Sequence, residues 1–438
     1  MSDVSREGVN SEPEDSYDPT LVFPEGELDL RGGADACYKC TSCDVSCPVG
    51  AVDDEFPGPK FQGPEQWRLT RKGDVDIDDS ITSCSNCMRC DDACPSGVPL
   101  SAMHNEARGQ YVDSSMRTLS RRYIRNRLLA NYGRLGCIAS RFPRLSNAAS
   151  HSNVLRWLGE RLLGITKERL VPEFAPETFR SWWIDRDNSS EARARDDTGE
   201  SKQIAYFHGC YSNYNTPDVA KATVRVFEHF GYEVIVPEQR CSGTPMFANG
   251  MLDDASRAAE TNVDSLSRAI EHGADVVASC TSCSMSLKKE YPELFDHDGI
   301  ETVARHTFDA LEYLRIHEDL ESELADSDID HPPLAYHAPC HARNQGLHRQ
   351  ALELFGDLDG VTIQDVGDSC SGISGTYGWK SEKYDVSMAI GEEMFDHMRD
   401  APGTTGLTEC PTCAMQMEHG TGYEIRHPME LLEAAIID

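Results

Sequence analysis

No stretch of this 438-residue chain approaches the roughly 20 consecutive apolar residues needed to cross a bilayer, so a spanning helix is excluded and a soluble or peripheral protein is expected. Basic charge is scarce as well. The 41 lysines and arginines face 74 aspartates and glutamates, a formal net charge of −33, which argues against nucleic acid as a partner. The acid is spread along the whole chain, as suits a salt-loving cytoplasm where a Debye length of roughly 3 Å at about 1 M salt screens self-repulsion. No N-terminal segment joins a basic start, an apolar core and a small-residue cleavage site, so a reducing cytoplasm is the expected compartment. Cysteines there serve as ligands rather than disulfides. No P-loop, G-x-G-x-x-G or Ser-His-Asp arrangement stands out, and nothing marks a flavin site or a catalytic residue of the chain's own.

Cysteine is what the chain has in excess: 17 residues, 16 of which fall into four sets of four. Two sets are dense, Cys37-x2-Cys40-x2-Cys43-x3-Cys47-Pro48 and Cys84-x2-Cys87-x2-Cys90-x3-Cys94-Pro95. Two are dispersed, Cys210, Cys241, Cys280 and Cys283, then Cys340, Cys370, Cys410 and Cys413. Cys137 is left over and reads as a small buried residue.

A length of 438 residues suggests two or three domains. Residues 1–34 are acidic and rich in Ser and Pro, the composition of a disordered leader. Residues 35–110 carry the dense runs. Residues 111–184 form a basic amphipathic helical segment, within which 115–183 hold 12 Arg and one Lys against four Glu, a surplus of nine positive charges. Ile124, Leu128, Tyr132 and Leu135 recur there at helical spacing, beside a stripe of Arg117, Arg121 and Arg125. Residues 185–202 read as a polar linker.

An internal repeat follows, over 203–320 and 330–438. Ile204–Phe207 leads to His208-Gly209-Cys210 as Leu334–Tyr336 leads to His337-Ala338-Pro339-Cys340. Cys241-Ser242-Gly243 answers Cys370-Ser371-Gly372, and Cys280-x2-Cys283 answers Cys410-x2-Cys413. Cysteine spacings of 31 and 39 residues in one half match 30 and 40 in the other. Short apolar strands alternating with helical patterns predict two related α/β units, so the whole chain reads as an α+β multi-domain protein.

Iron–sulfur chemistry explains the spacing. A [4Fe–4S] cubane needs a thiolate on each iron; a dense run reaches three corners and the fourth ligand comes from elsewhere. The x2-x2-x3 runs with a trailing proline resemble two-cluster ferredoxins, where the last cysteine of each run serves the other run's cluster. That resemblance implies one set of Cys37, Cys40, Cys43 and Cys94, and another of Cys84, Cys87, Cys90 and Cys47. The 36 residues between the runs favour a mostly α-helical ferredoxin-like module, similar to that of succinate dehydrogenase, over a compact ferredoxin. In the repeats, strand-end thiols converge where open α/β sheets hold their cofactors, and four per half suit one further cluster each. Zinc, or a single cluster shared by both halves, is the alternative.

Taken together, two ferredoxin runs and a duplicated Cys-(Cys/Ser)-Gly unit resemble the iron–sulfur electron-transfer subunits related to heterodisulfide reductase. Within that group the chain is most similar to the C-subunit family of anaerobic glycerol-3-phosphate dehydrogenases. The resemblance rests on Gly209–Asn215 and Gly372–Gly378, with Tyr384, Ser387 and Ile390-Gly391 following. It implies a role in an oxidoreductase complex: a flavoprotein dehydrogenase partner oxidises glycerol 3-phosphate, and this chain passes the electrons to menaquinone from the inner face of the membrane. The iron–sulfur subunit of a glycolate or lactate oxidase, or a disulfide reductase, is the alternative. The basic segment fits an anionic lipid surface, or equally an acidic face of a partner or of the chain itself. The paired His306 and His427 are candidates for a proton-linked quinone contact; His208, His337 and His341 read as capping or surface residues. The family's second cysteine is absent from both repeats, where Ser242 and Ser371 stand, and this weakens any disulfide-cleaving role.

Overall fold

The computed structural model describes residues 33–71, 76–187, 202–325, 327, 331–356, 358 and 360–437. Most of the expected leader (1–34) and linker (185–202) lies outside them.

Four short strands follow the linker, β1 (Gln203–Phe207), β2 (Glu233–Ile235), β3 (Asp275–Ala278) and β4 (Thr307–Asp309), paired in parallel in the order β2-β1-β3-β4. The repeat builds the same sheet from β5 (His331–Tyr336), β6 (Val361–Asp365), β7 (Thr405–Leu407) and β8 (Glu424–Arg426), ordered β6-β5-β7-β8. Ile204, Ala205, Tyr206 and Phe207 are all buried, as expected of a central parallel strand covered on both faces.

Twelve longer helices complete the chain: α1 (Leu100–Ser115), α2 (Arg121–Ala130), α3 (Tyr132–Ala139), α4 (Pro143–His151), α5 (Asn153–Leu163), α6 (Phe179–Asp187), α7 (Pro217–His229), α8 (Leu252–Glu271), α9 (Ala310–His317), α10 (Tyr384–Asp400), α11 (Pro411–Thr421) and α12 (Pro428–Ile436). Helices α9 and α12 start on equivalent capping boxes, Asp309 with Glu312 and His427 with Glu430.

The two units share a core. Helix α7 of the first packs on α12 of the second, and one buried cluster unites Tyr206, Phe227 and Leu311 with Leu334, Tyr336 and Leu432. The outer face of the first sheet packs on α8, with Val112 of α1 and Ala130 of α2 joining it. Helices α10 and α11 cover the outer face of the second through Met394, Phe395, Met398 and Met417. This arrangement turns the carboxyl ends of both sheets toward one space between the units.

Several expectations for the basic segment change. The helix breaks at Asn131, between α2 and α3. Arg125 does not continue a solvent stripe: it is buried and bonds both carboxylate oxygens of Glu382 at 2.7 Å. Trp182 and Trp183 pack around Phe179. Cys137 is exposed, not buried; the buried residue of α3 is the neighbouring Gly136, against Tyr214. Neither α4 nor α5 contains a buried residue, and both expose large apolar side chains, among them Leu145, Val154, Trp157 and Leu162, beside Arg144 and Arg161.

Candidate cluster-binding sites

Both dense runs fold the same way. The residues flanking the middle cysteine of each, Lys39 and Thr41 in one and Asn86 and Met88 in the other, hold left-handed φ between 57° and 66°. Each such non-glycine conformation costs on the order of 1–3 kcal/mol, strain that persists where a binding site over-determines the backbone. Its effect is to turn three thiols to one side.

Cys37, Cys40, Cys43 and Cys94 line one cavity together with Lys60, Val98 and Leu100. Cys47, Cys84, Cys87 and Cys90 line a second with Pro48, Phe56 and His104. Backbone N–H groups of Gly50, Asn86 and Val98 point at the sulfurs of Cys47, Cys84 and Cys94 at 3.4–3.5 Å. Burial pushes the Cys43 and Cys47 thiols up to about 12. At Cys84 burial also raises the thiol, but the His104 hydrogen bond and the positive charge of His104 and Arg108 outweigh it and bring the value down to about 7. His104 and Arg108 are support residues that sequence reasoning missed. Their only signal is their place on α1, one helix turn apart and directly after the second run.

The dispersed cysteines do not form two separate sites. All eight line one cavity of about 300 Å³ between the units. Cys210 and Cys241 stand 3.5 Å apart, Cys340 packs against the buried cluster that holds Cys370, and across the boundary the Ser282 hydroxyl lies 3.5 Å from Cys410 Sγ. Ser242 donates to Cys283 at 3.4 Å and Ser371 to Cys413 at 3.3 Å. The serine in the expected second-cysteine position thus does the same thing in each unit: it donates a hydrogen bond to the last cysteine of its own set. The second unit also braces the first, through His427 to the Ser279 carbonyl at 2.7 Å and Gln345 to the Thr281 carbonyl at 3.0 Å.

That cap, with its other ring nitrogen on the Met429 N–H, commits His427 to structure. His306 pairs with Asp275 at 2.9 Å on the surface. Neither lines the joint cavity; His208 and His341 do.

The N-terminal module docks on both units, with Asn86 on Glu290 and Arg108 on the Phe247 carbonyl of the first. Arg89 reaches Asp368, Arg343 reaches Asp92 at 3.1 Å, and Lys383 reaches Ser83 at 2.5 Å. Lys289 of the first unit adds a bond to Asp91 at 3.1 Å. At the centre of this interface Cys87 lies beside Cys370 in one buried cluster, with Cys340 packed against it; Cys340 first and then Cys87 raise the Cys370 thiol, while Cys370 draws Cys87 down. Cys47, Phe56, Cys87, Cys370 and Ile390 share one buried cluster. The four thiol sets therefore follow one another in space from exposed Cys40, through Cys84–Cys90, to the second unit, and last to the first. This is not chain order.

Among the described residues no three Cys, His, Asp or Glu side chains converge tightly enough for one metal ion. Sets of four thiols, with no His, Asp or Glu among them, fit iron–sulfur clusters. Ser242→Ala should keep the iron, because four thiols per unit remain. Loss of about 1 kcal/mol of hydrogen bonding to a cluster thiolate should lower a midpoint potential by roughly 40 mV, read in an anaerobic redox titration. Substantial iron loss would instead make the serine a ligand.

Comparison with known families matches residues 33–98 to a 4Fe-4S dicluster domain, and 204–288 and 334–418 to a cysteine-rich domain. The C subunit of the anaerobic glycerol-3-phosphate dehydrogenase of Escherichia coli K12 is 33% identical over 412 residues, 91% of this chain and 98% of that protein. The B subunit of the fumarate reductase (CoM/CoB) of Methanothermobacter marburgensis is 30% identical over 250 residues, 54% of this chain and 47% of that one. Lactate utilization protein A of an Exiguobacterium species is 28% identical over 242 residues, 53% and 95%.

Proposed function

This chain belongs to the family of anaerobic glycerol-3-phosphate dehydrogenase C subunits, and from that premise we propose that it carries electrons from a flavoprotein that oxidises glycerol 3-phosphate to (mena)quinone at the membrane. As an iron–sulfur electron-transfer subunit it uses several clusters. Cys37, Cys40, Cys43 and Cys94 would hold one, Cys47, Cys84, Cys87 and Cys90 a second, and the eight thiols of the joint cavity the remainder. The bound clusters supply reversible one-electron chemistry. The chain's own residues supply the route.

The Cys87–Cys370 contact is the observation that carries the proposal, since it joins the N-terminal module to the joint cavity without an intervening polar layer. Exposed Cys40 marks the end a partner can reach. Val49, Phe56 and Ile390, all buried, keep water from the junction.

The opposite end suits a lipid surface. No helix among the described residues is long and apolar enough to cross a membrane. Phe142, Leu145, Trp157 and Leu162 are nevertheless at least half exposed on or beside α4 and α5, interleaved with Arg141, Arg144, Arg156 and Arg161. Burying a Phe and a Leu recovers roughly 1.5–3 kcal/mol each, so Phe142→Asp with Leu145→Asp should cut binding to anionic phospholipid vesicles at least tenfold in a flotation assay. Unchanged binding would place the membrane contact elsewhere.

Anaerobic purification of the tagged chain from glycerol-grown cells should bring down a flavoprotein that oxidises glycerol 3-phosphate. Recovery of a glycolate or lactate flavoprotein would overturn the named substrate.

A further inference from the structure

The joint cavity has two unlike walls. One is thiol. The other is built by Leu128, Leu129, Leu135, Ile165, Val171 and Phe174, none of which can ligate iron, and all of which are only half-buried. Tyr132 lies among them, but its hydroxyl is committed to Asn215 at 2.7 Å. Half-exposed apolar side chains around a cavity leave an opening that favours an apolar occupant.

This wall belongs to the elements that carry the outer apolar face. Helix α3 places Leu135 in the cavity and Ile138, 67% exposed, outside it. The loop bearing Phe174 is clasped to α4 by Asn147, whose side chain exchanges two hydrogen bonds with the Phe174 backbone at 2.9 and 3.0 Å. Ile165 follows the Gly164 cap of α5, close in sequence to exposed Leu162. Apolar surface thus runs from the outer helices to the thiols.

The wall meets the first unit's cysteines closely: a Cβ on Gly133 of α3 would lie 3.3 Å from Cys241 Cβ and 3.6 Å from Cys210 Cβ. Beside them, His208 is 5% exposed. Its Nδ1 is engaged with the Gly209 carbonyl at 2.5 Å, and its Nε2 has no partner although the ring lines the cavity. A buried nitrogen without a partner is costly; with Nδ1–H donating to the Gly209 carbonyl, Nε2 is an acceptor, which a ligand hydroxyl such as that of a hydroquinone would satisfy.

We propose that this apolar flank, facing Cys210, Cys241 and the His208 ring, is the site where the quinone ring receives electrons, with its lipid tail leaving along α3 toward α4 and α5. The inference rests on the reading that this chain reduces quinone and adds where. The balance is two electrons, delivered singly through the clusters from the reduced flavoprotein, and two protons from solvent, converting the quinone to the hydroquinone.

The test uses the full-length, cluster-loaded chain, reduced anaerobically with dithionite. Menadione is the oxidant and an azidoquinone the photolabel. Leu135→Trp and Val171→Trp fill the flank from opposite sides. Both should retain wild-type iron content and the wild-type electron paramagnetic resonance (EPR) spectrum of the reduced clusters, while re-oxidation by menadione slows at least tenfold. The label should fall on peptides containing 128–135 or 165–174, and menadione should compete with it. Labelling confined to 138–162, or wild-type re-oxidation in both variants, would overturn the site and leave quinone reduction standing. Iron loss in both variants would make the wall part of the cluster housing and also overturn it. Failure of menadione to re-oxidise the wild-type chain would remove the underlying reading as well.

Discussion

Cys370→Ala should disconnect the N-terminal module from the rest of the route. Cys370 shares a buried cluster with Cys87 on one side and Cys340 on the other and lines the joint cavity, so its loss removes both a ligand of that cavity and the contact through which it is reached. The iron held by the two N-terminal sets, which lie in cavities of their own, should remain and still be reduced by dithionite. Delivery of electrons to menadione from the reduced flavoprotein should fall on the order of a hundredfold, about 2.7 kcal/mol in effective barrier. Cys210→Ala supplies the contrast, because Cys210 lies at the far end of the sequence of contacts. It should slow menadione reduction while leaving the second unit reducible through the N-terminal module, as followed by EPR. Equal behaviour of the two variants, with the second unit still reduced at the wild-type rate in Cys370→Ala, would show that the Cys87–Cys370 contact is not the route.

Gly372→Ala should be far more damaging than its repeat equivalent, Gly243→Ala. Both glycines sit in the left-handed region, with φ of +83° and +100°, where any other L-residue costs about 1–2 kcal/mol. What decides the difference is the neighbour. A Cβ at 372 would lie 2.1 Å from the Ser387 carbonyl oxygen, backbone of α10 that cannot rotate away. At 243 it would lie 3.1 Å from the tip of the Phe247 ring, which can yield. Adding about 1–3 kcal/mol of overpacking strain at 372 gives a destabilisation of roughly 2–5 kcal/mol, against about 1–2 kcal/mol at 243. The same displacement would pull the Gly372 N–H from Cys370, now 3.4 Å away, and Ser371 from Cys413. Anaerobic thermal unfolding with iron analysis should therefore show a lower midpoint and iron loss for Gly372→Ala alone. Similar midpoints would mean that α10 moves aside at little cost.

The range of each interaction explains how much of the fold and site was legible in the sequence. Three thiols of each N-terminal run can be grouped from spacing, because ligands two residues apart are brought together by local turns, whereas the crossed fourth cysteine was implied by the resemblance to two-cluster ferredoxins. The repeat showed in matching spacings, and with it the two α/β units. Strands β4 and β8 were hidden: each is three residues long and abuts the helical pattern of α9 or α12. Arginine periodicity was misleading at Arg125, since spacing tells which residues share a face but not that Glu382, 257 residues away, will bury one of them. For the same reason His306 and His427 stood out as a pair, yet one is held by a surface aspartate and the other by a helix start.

Sequence alone determined the chemistry and the modules of this protein: thiols in sets of four, a ferredoxin-like module, a duplicated α/β unit and the family that combines them. Those follow from local turns, strand ends and the recurrence of matched cysteine spacings along the chain. Tertiary packing decided what the sets do together. The joining of α7 to α12 turns both sheet ends onto one cavity, and the docking of the N-terminal module brings Cys87 to Cys370 across 283 residues of chain. Such contacts depend on the fit of whole buried surfaces, a property that no local pattern encodes.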